Sequence, residues 1–169
     1  MKRGKMLWTG FVVVVLSAVI SYPLFTVFAN EDNPKPKVRS SKRKCTGESP
    51  NINCECKTQN RFKTSDDVHA KGEHFPPLTN VDIYVTENKK WHLGDRFGPL
   101  NPSDPQDVST DGVETVATDS QGKFSCPMIW GNPLTDGSYD IVVDANQDGT
   151  FNDSDAIDGR SQNPGFKVR

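Results

Sequence analysis

The chain has 169 residues, of which 20 are basic and 22 acidic, giving a net charge of −2. This length has room for one domain with short appendages and excludes a large multidomain chain. The charge is uneven: residues 30–64 carry nine basic and four acidic residues, whereas residues 65–169 carry eight basic and 18 acidic ones. We therefore predict a basic arm over residues 30–60 in front of an acidic domain over residues 61–169.

The N-terminus has the pattern of a secretory signal peptide. Lys2, Arg3 and Lys5 precede an uncharged run over residues 6–29, which ends in the triplet VFA. A basic start, an apolar stretch and a small-residue cleavage site are typical of such signals. We interpret residues 1–29 as a signal and expect the remainder to be secreted or held in the cell envelope. The alternative is an uncleaved membrane anchor over residues 6–29, because about 20 apolar residues span a bilayer.

The chain has four cysteines, Cys45, Cys54, Cys56 and Cys126. An even number of cysteines in an exported chain predicts disulfides. Because Cys54 and Cys56 are too close in sequence for an unstrained mutual bond, we expect Cys45 to pair with one of them and Cys126 with the other. The sequence leaves open which pairs with which. A cysteine–metal cluster is the disfavoured alternative, since the spacing lacks the usual gaps of zinc sites.

Residues 30–60 are poor in apolar side chains, and only Val38 and Ile52 could enter a core. Pro, Ser, Lys and Asn predominate, which is typical of a linker. This range is therefore predicted to be an irregular, Cys-containing linker arm.

From Arg61 onward, short runs alternate between apolar and polar residues and are separated by turns rich in Gly, Asn and Asp. Period-two runs of β-branched and aromatic residues predict half-buried strands. No segment after Ala29 has a sustained helical period, so the fold class expected is an all-β, antiparallel sandwich. Five aromatic residues are predicted to supply much of its core: Phe75, Trp91, Phe124, Trp130 and Tyr139. The predicted strands are residues 81–85, 112–118, 122–130, 137–144 and 165–168.

The run DANQDGTFNDSD, residues 144–155, has the spacing of a calcium-binding loop. Calcium prefers six to eight oxygen ligands, and alternate side chains of a curling loop can converge on one ion. Gly149 permits the sharp turn that directs the Thr150 carbonyl inward. The alternative is an acidic turn, since Asp, Asn and Gly also dominate turns. The predicted Ca²⁺ ligands are Asp144, Asn146, Asp148, Thr150, Asn152 and Asp155.

Several motifs together resemble an immunoglobulin-like domain that recurs in secreted and surface proteins of bacteria and archaea. They are VDIYV, GVETV, PLTDGSYDIVVDANQDG and the closing GFKV, spread over residues 61–168. The step DANQDG also resembles the D-x-N-x-D-G calcium loop of dockerins. The resemblance implies an immunoglobulin-like sandwich, used as a module of envelope proteins and without known catalysis. Here the module stands almost alone behind its Cys-containing arm.

These observations favour a non-enzymatic module for binding, adhesion or surface structure, stabilised by Ca²⁺. Its partner would be an extracellular protein or a glycan, and the sequence indicates no small-molecule substrate. A second hypothesis is binding of anionic surfaces, namely a membrane, an acidic glycan or nucleic acid, through residues 35–44, which hold six basic residues. Nucleic acid is disfavoured because no aromatic residues interleave with the basic ones.

A secreted metal-dependent enzyme is the least favoured hypothesis. The chain lacks a nucleophile elbow and the metalloprotease motif H-E-x-x-H, and scattered histidines usually lie on surfaces. The candidate residues would be His69, His74 and His92 with Asp66, Asp67, Glu73 or Asp95.

Overall fold

The computed structural model describes residues 34–46, 53–98, 103–159 and 163–169. The predicted signal or anchor over residues 1–29 lies outside this part of the chain. Within it, all regular secondary structure is β, and no helix has the length and apolar character to cross a membrane. The strands are β1 (Lys37–Thr46), β2 (Asn53–Thr58), β3 (Arg61–Phe62), β4 (Val68–Glu73), β5 (Asn80–Glu87), β6 (Glu114–Ala117), β7 (Phe124–Trp130), β8 (Gly137–Asp144), β9 (Ala156–Ile157) and β10 (Phe166–Val168).

The strands form two sheets that pack on a shared core. The first sheet has the order β2-β1-β4-β7, and the second has the order β3-β10-β8-β5-β6, with β9 also paired to β8. All pairings are antiparallel except that of β10 with β3, which is parallel and corrects the expectation of a purely antiparallel fold. The all-β class is confirmed, and five strands coincide with the predicted runs apart from a few end residues.

The core is formed by the inward-facing side chains of the two sheets. Val81, Ile83 and Val85 of β5 are buried, as their alternation predicts, and Trp130 meets Tyr139 edge to face at 4.9 Å between ring centroids. Burying an apolar side chain such as Val or Ile contributes about 1.5–3 kcal/mol to the stability of the fold. Strand β8 is buried on both faces because the main core covers its inner face and a second apolar cluster, which includes Val142, covers its outer face.

The prediction of an irregular arm over residues 30–60 is wrong for the part that the structure describes. Residues 37–46 form β1, which pairs with β4 through the register Lys37–Glu73 to Ser41–His69. Val38 and Ser40 point into the sandwich and are buried. A sheet with one solvated face tolerates charged side chains on that face. The basic composition of β1 therefore reflects its outer face. The part of the chain that the structure describes forms one compact unit that includes β1.

The disulfides are Cys45–Cys54 and Cys56–Cys126, which is one of the two patterns left open by the sequence. Cys45 and Cys54 are direct partners in the β1–β2 register. The second bond joins strands at opposite edges of the sheet, and three strand spacings of about 4.8 Å would separate these edges in a flat sheet. Because the Cα atoms of Cys56 and Cys126 are only 5.6 Å apart, the β1–β2 hairpin must curl over the outer face.

This curl explains two side chains that are buried on the outer face. Ser41 and His69 lie on the same face as the exposed Arg39 and Lys71, yet they are 0% and 7% exposed. Residues Arg43 and Cys45 of the curled hairpin line one cavity with His69 and Met128. Burial lowers the pKa of His69. At the Cys126 end of the second disulfide, the register of β7 with β4 is irregular around Cys126 and Pro127. Such a bulge on an edge strand accommodates proline.

Four of the five predicted core aromatics lie in the main core, but Trp91 does not. It is half-buried in a second apolar cluster on the outer face of the second sheet, where it meets Phe97 and Phe151. The ring belongs to the loop after β5, so its placement depends on that loop folding back over Tyr84 and Val142. This second cluster brings the predicted calcium loop against the sheet.

Candidate metal-binding loop

The candidate loop connects two paired strands. It leaves β8 after Asp144 and returns through β9, whose residues Ala156 and Ile157 pair with Val143 and Val142. The chain turns at Gln147 and Gly149, which have φ angles of 58° and 69°. A side chain on Gly149 would also press on the Phe97 carbonyl oxygen, 3.3 Å from an added Cβ. Glycine is therefore required here by both backbone conformation and space.

Three oxygen atoms of the loop converge on the side-chain nitrogen of Asn152. They are the Thr150 carbonyl oxygen at 3.0 Å, Asn146 Oδ1 at 3.3 Å and Asp148 Oδ2 at 3.4 Å. These residues occupy positions three, five and seven of the predicted ligand series, and Asn152 occupies position nine. The structure thus brings four of the six predicted residues to one point.

The other two predicted residues, Asp144 and Asp155, are turned toward backbone amides of the same loop. Asp144 accepts hydrogen bonds from the amides of Asp148 and Gly149, at 3.2 and 2.8 Å. Asp155 accepts from the amides of Ala145 and Asn152, at 2.9 and 2.8 Å. Both carboxylates are buried, at 1% and 6% exposure, and they fix the curl of the loop.

Negative charge accumulates in this small volume. Burial raises the pKa of Asp155 to about 6, and the neighbouring charges of Asp144 and Asp148 contribute to the rise. Such a site favours a bound cation, because a cation near the carboxylates offsets both desolvation and mutual repulsion. Among the described residues, no group of three or more His, Cys, Asp or Glu side chains is arranged to hold one metal ion. The convergent atoms come instead from an amide, a carboxylate and a backbone carbonyl.

A second segment, residues 92–97, covers the loop through backbone hydrogen bonds. Phe97 N–H donates to the Gly149 carbonyl at 3.1 Å, and Phe151 N–H donates to the Asp95 carbonyl at 2.8 Å. Phe151 also packs against Trp91, with 5.9 Å between ring centroids. The conformation of the loop is therefore coupled to the surface that Trp91 and Phe97 form.

The sequence reasoning missed Asp82, which lies beside the loop. Asp82 is the register partner of Asp144 across β5 and β8, and its Oδ1 accepts a hydrogen bond from Gln147 Nε2 at 2.9 Å. The sequence pattern indicates only that Asp82 belongs to the predicted strand over residues 81–85. Its closeness to the loop follows from strand pairing over 62 positions, which no local pattern indicates.

The residues of the enzyme hypothesis are distributed over separate elements. His69 lies in β4, His74 follows that strand, and His92 lies in the loop after β5. His92 Nδ1 is 3.9 Å from Asp95 Oδ2 on the surface. Asp67 accepts hydrogen bonds from Asn132, and the Asp66 carboxylate pairs with Lys42. These carboxylates have structural partners.

A buried carboxyl group close to the loop predicts a pH dependence of stability. Burial raises the pKa of Asp158 from an ordinary 3.8 to about 6, against the opposing effects of the Ser40 hydrogen bond and the Arg39 charge; Asp140 repels it. The folded chain then binds the proton more tightly than the unfolded chain. The contribution of this group to the unfolding free energy therefore falls as pH rises from about 4 to about 6 and stays constant above.

We expect Asp158→Asn to stabilise the protein at pH 7 by at most about 3 kcal/mol, given about 1.4 kcal/mol per pKa unit, and to have little effect at pH 4. The asparagine retains an oxygen that can accept from Ser40 N–H, which the aspartate does in the wild type. Urea unfolding at pH 4, 5, 6 and 7 measures the difference. A difference between variant and wild type that is the same at every pH would contradict the raised pKa.

Comparisons with known proteins give no match: no protein-family model, curated protein or solved structure is similar to this chain.

Proposed function

We propose that this protein is a non-enzymatic, extracytoplasmic β-sandwich module whose 144–155 loop binds Ca²⁺. The observation that carries the proposal is the convergence of Asn146 Oδ1, Asp148 Oδ2 and the Thr150 carbonyl oxygen on one point of the loop. Hard oxygen atoms from alternate residues of a curled loop are the ligands that calcium prefers. Asn152, whose amide oxygen accepts from Ser154 N–H at 2.9 Å, would rotate its amide to present that oxygen to the ion. The buried Asp144 and Asp155 would supply charge.

The consequence of binding would be a fixed surface over the second sheet. The loop contacts residues 92–97, and these carry Phe97 against Tyr84, with 5.0 Å between ring centroids. A cation that holds the loop would also hold the aromatic cluster of Trp91, Phe97 and Phe151. We propose this surface for binding an extracellular protein or glycan, in line with an adhesive or structural role.

The two disulfides support an extracytoplasmic location, because such bonds persist in oxidising compartments. We propose that residues 1–29 direct export; the mass of the exported chain would reveal whether they are removed. We also propose that the sandwich is of the immunoglobulin-like type. Two mostly antiparallel sheets around one core support this proposal, and an experimental structure with a different strand connectivity would refute it.

Calcium is expected to raise the thermal midpoint of the oxidised protein. At a hundredfold excess over its dissociation constant, a ligand adds about 2.7 kcal/mol of stability, equivalent to about 10 °C for a domain of this size. Asp148→Ala should abolish the shift, because it removes a convergent carboxylate. Melting in EDTA and in millimolar calcium measures both proteins.

The matched control is Asp153→Ala. Asp153 lies in the same loop and has the same charge, but it is exposed, and within the described ranges its ion pair is with Lys35, at 3.3 Å. Such surface pairs contribute about 0–1 kcal/mol, so this variant should keep the full calcium shift. A wild-type protein that melts identically in EDTA and calcium would refute the metal site. If both variants lost the calcium-dependent shift equally, the effect would be a general attraction of calcium to an acidic loop and not a specific site.

A further inference from the structure

The outer face of the first sheet carries an ordered group of basic side chains. Along β1, the exposed residues Lys37, Arg39 and Arg43 lie on the face opposite to that of the inward-facing Val38. From β4, the exposed Lys71 joins them as the register partner of Arg39. We call Lys37, Arg39, Arg43 and Lys71 the basic face. This face joins residues of the predicted linker arm to a residue of the predicted domain. That proximity follows from the pairing of β1 with β4 and not from the sequence pattern.

The basic face forms no ion pair within the described ranges, although Glu73 lies opposite Lys37. By contrast, Lys35 and Lys42 of the same run are paired, with Asp153 and Asp66. The Arg39 charge acts on the buried Asp158 across the sheet edge, without an ion pair. The outer positions of β1 therefore retain their positive charge for a partner.

The pairing of Arg39 with Lys71 opposes the stability of the fold. Like charges directly opposite each other on one face of an antiparallel pair are destabilising. Strand pairing would be better served by a carboxylate at either position, as Glu73 provides opposite Lys37. An anion that contacts both side chains would relieve the repulsion.

We propose that the basic face binds a linear acidic polysaccharide. Lys37 and Arg39 lie about 7 Å apart at about 3.3 Å per residue, Lys71 lies opposite Arg39, and Arg43 follows where the hairpin curls. The charges therefore form a continuous row suited to an extended polyanion. No aromatic side chain alternates with them on β1, which disfavours stacking of nucleic-acid bases. Met128 is the large exposed apolar residue of the neighbouring β7, too little apolar surface for insertion into a membrane.

The proposal predicts binding by a chain whose net charge is −2. A polyanion should repel such a chain unless a local group of positive charges dominates at short range, within a Debye length of about 8–10 Å. The interaction should therefore weaken steeply with salt.

The test is binding of the oxidised, exported chain to heparin, used as the sulfated linear probe, in EDTA. EDTA keeps the calcium proposal out of the experiment, so either proposal can fail alone. Lys71→Glu should weaken binding at least about fivefold, from about 1 kcal/mol per basic residue near an anionic surface. The same variant should raise the thermal midpoint by about 1–4 °C, because the new carboxylate faces Arg39. Misfolding cannot produce these opposite effects together.

The control is Lys90→Glu, which makes the same charge change at an exposed position after β5, away from the basic face. It should leave heparin affinity within about twofold of wild type, as expected for screened distant charges. Equal weakening by Lys71→Glu and Lys90→Glu would overturn the proposal. So would unchanged binding of Lys71→Glu, or tighter Lys71-dependent binding to vesicles with anionic lipids or to single-stranded DNA than to heparin.

Discussion

Replacing Cys56 and Cys126 together by serine is expected to lower the free energy of unfolding by about 4 kcal/mol. The bond closes a separation of 70 positions, and a long closed loop removes more entropy from the unfolded chain than a short one. It also holds the curled hairpin over the first sheet. Without it, the covering of Ser41 and His69 is lost, and their buried environment opens to water.

The internal control for this effect is the pair Cys45→Ser and Cys54→Ser. That bond closes a separation of only 9 positions, so its removal should cost about 2–3 kcal/mol. Urea unfolding without reductant ranks the two double variants. The His69 pKa, followed by NMR, should rise toward its ordinary value of 6.5 only in the first variant, because burial is the main cause that lowers it. The reverse ranking, or an unchanged His69, would contradict the role assigned to the hairpin.

The strands that the sequence identified are those with large alternating side chains. In β5 and β8, Val, Ile and Tyr fill the inner face, so the two-residue period is visible. In β1 and β4 the buried inner positions are Val38, Ser40, Val68, Ala70 and Gly72, of which three are small or polar. Ser40 is tolerated inside because its hydroxyl donates a hydrogen bond to the Gly165 carbonyl, at 3.5 Å. Because most inner positions of these strands are small or polar, the sequence of β1 and β4 does not show a clear apolar–polar alternation.

The candidate loop could be predicted because its expected ligand residues follow one another along the chain. The residues that position it do not: Asp82 reaches the loop through the pairing of β5 with β8, and Trp91 through the fold of a separate loop. Such contacts depend on strand order, which local spacing does not encode. For the same reason Lys71 could not be joined to the basic run before the β1–β4 register was known.

The largest effect of a single side chain is expected at Asp140, in the middle of β8. This carboxylate is 1% exposed and accepts three hydrogen bonds, from the amide of Lys89 at 3.1 Å, the indole of Trp91 at 3.2 Å and the amide of Gly165 at 3.1 Å. It thereby ties the loop after β5 and the segment before β10 to a central strand. Burial raises its pKa, yet the three donors oppose that rise.

Asp140→Ala should lower the free energy of unfolding by about 3–5 kcal/mol, because buried donors left unpaired cost about 1–3 kcal/mol each. Asp136→Ala, an exposed aspartate in the turn before β8, is the matched control and should stay within about 0.5 kcal/mol of wild type. Urea unfolding measures both variants. Acrylamide quenching of tryptophan fluorescence should increase in Asp140→Ala alone, since Trp91 loses its acceptor.

The calcium response provides a further readout of Asp140. Trp91 packs on Phe151 of the 144–155 loop, so freeing Trp91 removes one support of the proposed metal site. The calcium concentration at half-saturation should therefore rise in Asp140→Ala, although Asp140 is not among the proposed ligands. A variant with normal quenching, normal stability and unchanged calcium response would show that Asp140 does not hold these segments together. Its burial would then have to be explained by the fold of β8 alone.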